Sequence, residues 1–273
     1  MDYPLQILTV IQTRRGSSRL PDKVLLPLLG KPLFIRQAER VMAAEHTGTV
    51  VVATSKNTED DFIEKICFLE DIECFRGSED DLLDRHYQAA VRYNADVIIK
   101  IPSDCPLIDP EIIDKVIGFY LGNYGVYDYV SNLHPATWPD GNDVEVMSFS
   151  ALHRAWRKAT KKFEREHTTP YIWEHPAFFK IGNVKMEGGV DYSMTHRWTI
   201  DYAEDYQFIK VVYEALYETG PFFSCDDILR LLKNRLDIFS INQHLAGVNW
   251  YRNHLHELNT IGPAQTKQII TEQ

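Results

Sequence analysis

Three clustered cations and two isolated carboxylates are the residues of this 273-residue chain best suited to chemistry. Arg14, Arg19 and Lys23 fall within one run, Ile11-Gln12-Thr13-Arg14-Arg15-Gly16-Ser17-Ser18-Arg19-Leu20-Pro21-Asp22-Lys23. Gly16 lets backbone approach a ligand closely, the Ser17 and Ser18 hydroxyls and local N–H groups donate hydrogen bonds, and the cations neutralise phosphate charge. The run reads as a nucleotide triphosphate loop, with Thr13, Gly16 and Ser17 at the nucleotide and Arg14, Arg19 and Lys23 on its phosphates. A solvated basic turn is the plainer alternative. The loop carries neither the Gly-x-x-x-x-Gly-Lys-Ser/Thr nor the Gly-x-Gly-x-x-Gly pattern, so the phosphate site is of another type. Asp104 follows the apolar run Asp96 to Pro102, where an open α/β sheet binds ligands, and is a metal-ligand candidate. Asp201 closes Trp198 to Ile200 and opens a helical pattern, so its own context fits a helix cap as well as a metal ligand.

Apolar periodicity supplies the elements that must carry these groups. Leu5 to Ile11 reads as a buried strand feeding the loop, and Pro32 to about Glu45 as a helix with proline near its first turn. Thr49 to Ala53 and Ile72 to Phe75 read as further strands. The first ends at Thr54 and Ser55, which either line a base pocket or cap the next helix. The second leads to Ser78, with the same two readings. Asp109 before Pro110 has the profile of a helix cap. Strands alternating with helices in this way predict a three-layer α/β/α sandwich with a mostly parallel sheet and function at the carboxyl ends of its strands. The rhythm then changes. Between about residues 127 and 195 short β-rich pieces and turns, including Trp138-Pro139-Asp140-Gly141, predict a β-rich insertion within one domain spanning 1–249. Ala151 to Lys162 reads as a helix, Trp198 to Ile200 as a strand, and residues 250–273 as a polar tail without visible chemistry that packs on a partner subunit or is disordered at its end.

Composition narrows the class. With 44% hydrophobic residues the chain can bury a full core, and a formal charge of -10 argues against a general nucleic-acid binder. No apolar run approaches the roughly 20 residues that cross a bilayer, and the N-terminus shows no signal-peptide pattern. Cys67, Cys74, Cys105 and Cys225 form no CxxC pair, so neither a zinc ribbon nor a disulfide framework is expected. A cytoplasmic protein without membrane or nucleic-acid partners is the default expectation.

Extended through Val24-Leu25-Leu26-Pro27-Leu28-Leu29-Gly30-Lys31-Pro32-Leu33, the loop resembles the N-terminal signature of the sugar-activating cytidylyltransferases. The match is to the spore coat polysaccharide branch, related to acylneuraminate and ketodeoxyoctulosonate cytidylyltransferases. Arg14, Gly16, Ser17, Arg19, Lys23, Gly30 and Pro32 fall on the pattern Arg-x-Gly-Ser-x-Arg-Leu-Pro-x-Lys, then Gly-Lys-Pro-Leu. Arg76-Gly77-Ser78-Glu79-Asp80, Pro139-Asp140-Gly141-Asn142-Asp143-Val144-Glu145 and Arg165-Glu166-His167-Thr168-Thr169-Pro170-Tyr171 resemble further family segments, in the same order. Thr13 stands where Ala is usual, Arg15 where an apolar residue is common and Asp22 where Gly is usual.

The resemblance implies transfer of CMP from CTP to an acidic sugar or sugar-like acceptor, with pyrophosphate released, in surface polysaccharide biosynthesis. It implies Mg²⁺ on Asp104 and Asp201, a substrate-side or interface role for Asp143 and Glu145, acceptor binding by Arg165, Glu166 and His167, and a homodimer. An ion-paired helix start is the plainer reading of Arg165 to His167. Rival readings are a sugar 1-phosphate nucleotidyltransferase using another triphosphate, a related glycosyltransferase, and a non-catalytic nucleotide-binding protein.

Overall fold

The protein is described by a computed structural model over residues 4–17 and 19–269. Ser18, expected as a loop donor, and the last four residues of the tail lie outside these described residues. In chain order the elements are β1 (Ile7–Gln12), β2 (Pro27–Leu28), β3 (Lys31–Pro32), α1 (Leu33–Met42), β4 (Thr49–Ser55), α2 (Asp61–Leu69), β5 (Glu73–Gly77), α3 (Leu82–Arg92), β6 (Val97–Pro102) and α4 (Pro110–Gly122). There follow β7 (Tyr129–Ser131), β8 (Glu145–Ser148), α5 (Phe149–Lys158), α6 (Lys162–His167), α7 (Pro170–Trp173), β9 (Ile181–Asn183), α8 (Ala203–Leu216), α9 (Cys225–Asn234) and α10 (Leu236–Phe239).

Strand β1 shows why the sheet is central. Leu8 and Val10 pack into the core on one face and Ile11 into the core on the other, so the strand is apolar almost throughout. Helices α1, α2 and α4 cover the Ile11 face, and α3, α5 and α7 cover the other. The result is the expected three-layer sandwich. Seven strands run in the order β5-β4-β1-β6-β8-β7-β9. The β5·β4, β4·β1, β1·β6 and β7·β9 pairs are parallel, while β8 runs antiparallel to both β6 and β7. From β1 the chain builds outward through β4 and β5, then returns to place β6 on the opposite side. The loops leaving β1 and β6 therefore diverge, and a crevice opens between them at the strands' carboxyl ends.

The segment 127–195 supplies β7, β8 and β9 to this same sheet, together with α5 to α7. The helix expected through Lys162 breaks at Ala159 and restarts as α6, because the Glu164 carboxylate accepts the backbone N–H groups of Thr160 (3.0 Å) and Lys161 (2.9 Å) and makes a new helix start. The expected strand at Trp198 to Ile200 is also corrected: this stretch is irregular, with a bend at Thr199, and among the described residues it joins no strand of the sheet, the bridge between Asp140 and Arg197 lying just before it. Its backbone is held by loops instead, Trp198 N–H donating to the Asp140 carbonyl (2.7 Å) and Ile200 N–H to the Asp104 carbonyl (3.0 Å).

Helices α8, α9 and α10 form a third apolar cluster with Leu28, Leu33, Leu107 and Trp198. Buried Arg40 of α1 fastens it, donating to the carbonyls of Ile108 (2.7 Å), Pro221 (3.1 Å) and Phe223 (2.6 Å). Beyond it the tail packs back across the α3/α5 face through Trp250, Tyr251, Leu255, Leu258 and Ile261. Glu174 fixes this return by accepting the backbone N–H groups of Asn259 and Thr260.

Candidate active site

The loop after β1 begins on Thr13, whose N–H continues the sheet by donating to the Ala53 carbonyl (2.9 Å). Arg15 does not turn toward the crevice. Its guanidinium donates twice to the Asp22 carboxylate, at 2.8 Å each, and its backbone N–H donates to Asp60 (3.0 Å). The two unusual charges of the loop thus cancel each other. Asp22 sits at φ 53°, in the left-handed region where glycine is favoured and aspartate is among the better tolerated alternatives. The Ser17 hydroxyl accepts the Leu20 N–H (3.3 Å), tightening the turn that delivers Arg19 and Lys23.

Lys23 meets both candidate metal ligands. Its Nζ donates to Asp201 Oδ1 (2.9 Å), to Asp104 Oδ2 (3.3 Å) and to the Ile200 carbonyl (2.7 Å). Arg19 reaches the same Asp201 oxygen at 2.6 Å. From behind, fully buried Arg197 donates to Asp201 Oδ2 (3.2 Å) and to both oxygens of Asp205 (2.9 and 3.0 Å). Burial opposes the Lys23 charge, yet Asp104 and Asp201 outweigh it and hold the ammonium above its ordinary pKa. Burial likewise opposes ionisation of Asp201, but Lys23 and then Arg19 prevail and hold it below the usual carboxylate range. Two carboxylates converging on one cation are a hard oxygen pair of the sort magnesium takes together with phosphates and water. The residues fit such an ion.

These groups open into a cavity of about 720 Å³. Thr13, Arg14, Gly16, Ser17, Arg19, Lys23, Asp104 and Asp201 line it, as do Asp143, Glu145, Glu166 and His167. The Pro-Asp-Gly turn comes this close because Gly141, at φ 111°, lies against the Trp198 backbone, where a Cβ would sit 2.7 Å from the carbonyl carbon. Burial, then the Asp104 and Glu145 carboxylates, push Asp143 up to about 7. Burial, then the Lys100 charge, push the His167 imidazole down to about 3, so it stands neutral.

Thr54, Ser55, Ser78 and Arg165 do not line the cavity. The Ser55 hydroxyl donates to Asp60, the residue that also anchors Arg15, while the buried Thr54 hydroxyl has no partner among the described residues. Ser78 accepts the Asp81 N–H (3.2 Å). Arg165 is drawn away by the Asp81 carboxylate and the Trp156 carbonyl, which matches the ion-paired reading of that segment.

Sequence reasoning passed over Gln12, Arg85, Lys100, Asp140, Arg197 and Trp250, all in the lining. A lysine inside the otherwise apolar run Val97–Pro102 was the available signal for Lys100. Trp250 gave none, because only the returning tail stacks it on His167, ring centroids 3.9 Å apart.

The cytidylyltransferase family profile matches residues 8–252. The spore coat polysaccharide biosynthesis protein SpsF of Bacillus subtilis is 33% identical over 236 residues, covering 85% of this chain and 95% of that protein. A cytidylyltransferase structure from Leptospira borgpetersenii superposes with a TM-score of 0.81 at 33% identity, over 86% of this chain and 97% of the other. A CMP:2-keto-3-deoxy-manno-octonic acid synthetase complexed with CTP shares the fold, with a TM-score of 0.57 at 14% identity over 77% of this chain and 99% of its own.

Proposed function

The chain belongs to the cytidylyltransferase family, and from that premise we propose that it transfers CMP from CTP to an acidic sugar or sugar-like acceptor, releasing pyrophosphate. One observation carries this reading: a loop of three cations faces two convergent carboxylates across a single cavity. Attack of an acceptor oxygen on the α-phosphorus asks for little covalent chemistry and much electrostatic stabilisation. Arg14, Arg19 and Lys23 hold the β- and γ-phosphates and stabilise the departing pyrophosphate. Thr13, Gly16 and Ser17 shape the wall along which the nucleotide lies.

Asp104 and Asp201 would hold Mg²⁺, which, when bound, neutralises phosphate charge and orients the triphosphate. Lys23 keeps those carboxylates together beforehand, and Arg197 with Asp205 fixes the rear of Asp201. Asp143, Glu145, Glu166 and His167 form the acceptor side, with Trp250 stacked on His167. The solved relative complexed with CTP and the ketodeoxyoctulosonate enzymes among the chain's relatives support cytidine and a carboxylated sugar as the substrate pair. Consumption of free CTP fits a cytoplasmic location, and among the described residues no helix is long and apolar enough to cross a membrane. A homodimer is part of this proposal and is checked by sedimentation.

The decisive measurement is thermal unfolding with CTP, UTP, GTP and ATP, with and without Mg²⁺, followed by a pyrophosphate-release screen over acidic acceptors. A triphosphate present at 100 times its dissociation constant stabilises by about 2.7 kcal/mol. A shift confined to CTP with Mg²⁺ is expected, followed by release only when a carboxylated acceptor is added. Equal shifts with all four triphosphates would overturn the base assignment.

A further inference from the structure

An acidic acceptor needs a cation on its own side of the cavity, and the expected one, Arg165, is spent on Asp81. The remaining cations of the lining divide sharply. Arg14, Arg19 and Lys23 belong to the triphosphate loop. Arg85 donates to the carbonyls of Ser78 (2.7 Å), Glu79 (2.9 Å) and Ala53 (3.4 Å). Arg197 is consumed by Asp201, Asp205, Asp140 and the Val248 carbonyl. Lys100 is different. Among the described residues its ammonium, with three donors, meets one protein acceptor, Glu145 Oε1.

The pairing around Lys100 is lopsided in a way that favours a ligand. Glu145 is well supplied with donors, since Tyr129 Oη donates to its other oxygen at 2.7 Å and Thr169 also reaches it. Lys100 is only 8% exposed, and what exposure it has is to the cavity. A buried ammonium with unused donors is costly unless something anionic completes it. No imidazolium crowds it, because burial drives the neighbouring rings of His86 (to about 3), His134 (to about 4) and His167 neutral. The charged groups around it are Glu145, its partner, Arg85, nearer the nucleotide wall, and Asp143, toward the metal-ligand pair.

Beside Lys100 stands an orphaned acceptor. Val10 of β1 is in register with Lys100 and Gln12 with Pro102, so Gln12 and Lys100 leave the same sheet face on adjacent strands. Gln12 also lines the cavity, and among the described residues its buried Oε1 has no hydrogen-bond partner. A donor from a bound molecule would complete it.

We infer that Lys100 is a specificity-determining residue that binds the acceptor's carboxylate, positioned for it by Glu145, with Gln12 Oε1 accepting a hydrogen bond from a neighbouring acceptor hydroxyl. The substrate class is a polyhydroxy carboxylic acid with a hydroxyl close to its carboxylate. This rests on the cytidylyltransferase reading and gives it a residue that selects the acceptor.

The test measures binding of 3-deoxy-manno-octulosonate, N-acetylneuraminate and their methyl esters by tryptophan fluorescence, without nucleotide and with Mg²⁺ and α,β-methylene-CTP. The proteins are wild type, Lys100→Met, Lys100→Arg and Gln12→Met. Wild type is expected to prefer at least one acid over its ester by roughly 10- to 100-fold, the worth of a hydrogen bond to a charged group. Lys100→Met should lose that preference, Lys100→Arg should keep most of it, and Gln12→Met should weaken acid and ester alike. Affinity for α,β-methylene-CTP should be unchanged in all. Indifference of wild type to the ester, or a preference that survives in a Lys100→Met protein still binding the analogue normally, would overturn the inference. If Lys100→Met does not fold, the Lys100→Met/Glu145→Leu pair, which leaves no buried charge behind, takes its place with the same expectations. Failure of wild type to bind the nucleotide analogue counts against the cytidylyl reading instead, since the acid preference is also read without nucleotide.

Discussion

Lys23 Nζ and Asp201 Oδ1 lie 2.9 Å apart although 178 residues separate them in the chain. The contact joins the triphosphate loop to the segment before α8, and with Asp104 it makes one electrostatic unit of an ammonium and two carboxylates. Removing the ammonium should therefore do two things. Lys23→Ala should lower turnover by about 10²- to 10³-fold, as the loss of a donor to developing charge does. It should also cost about 1–3 kcal/mol in metal-free stability by leaving two carboxylates facing each other. Chemical denaturation with and without Mg²⁺ separates the effects, because the ion should restore stability and leave turnover low.

Asp104→Asn and Asp201→Asn should each abolish Mg²⁺-dependent pyrophosphate release, checked by titrating the metal in the release assay. The two should differ in stability. Asp201 receives Lys23, Arg19 and Arg197, whereas the Asp104 carboxylate receives Lys23 and the weak Cys105 thiol contact. Asp201→Asn should accordingly show the lower melting temperature.

Arg197 and Asp205 are both fully buried and hold Asp201 from the rear. Arg197→Met leaves the buried Asp205 carboxylate without a counter-cation, held by the Asp201 and Tyr202 N–H groups and the Asn242 amide, and should cost about 3–5 kcal/mol. Denaturant titration measures this, and the Arg197→Met/Asp205→Leu pair should recover part of it.

His86 sets an acid limit on stability. It is fully buried and does not line the cavity; its Nδ1 lies 2.8 Å from the Leu82 carbonyl, and burial pushes the ring down to about 3. Between the ordinary histidine value near 6.5 and about 3, the unfolded chain binds a proton that the folded chain refuses, so stability falls as pH drops through that window and this contribution is complete above it. The slope is up to about 1.4 kcal/mol per pH unit. Urea midpoints from pH 7 to 5 should show it, and His86→Gln should reduce the slope by its share, His134 and His167 contributing the same way.

Trp250→Ala should weaken acceptor binding while sparing CTP, because Trp250 stacks on His167 on the acceptor side and the triphosphate loop lies elsewhere in the lining. Separate KM values for the two substrates check this.

How far the site is legible in the sequence varies with the range of the forces that hold it. Loop residues 13–23 are legible because glycine, serine and clustered cations act locally. Asp104 is legible because a carboxylate ending an apolar strand, with no adjacent helix to cap, is placed to meet a ligand. Thr54 and Ser55 are ambiguous for the opposite reason: a strand-end hydroxyl serves a cap or a ligand equally, and Asp60, five residues beyond Ser55, decides the matter for it. Arg165 is misplaced by its sequence context because its preference for Asp81 over the cavity depends on α6 packing beside α3. The segment Trp198 to Ile200 has strand composition, yet its backbone partners are loop carbonyls that no periodicity reports.

By itself the sequence determined the α/β sandwich, the family and the cationic loop, since strand and helix periodicity and short motifs are properties of neighbouring residues. Only the tertiary structure decided which charges are free. It paired Arg15 with Asp22 and Arg165 with Asp81, left the Lys100 ammonium with donors unused among the described residues lining the cavity, and brought Trp250 back from the tail onto His167. The physical reason is that a charge's availability depends on every partner within a few ångströms in space, and those partners come from strands and loops far apart in the chain.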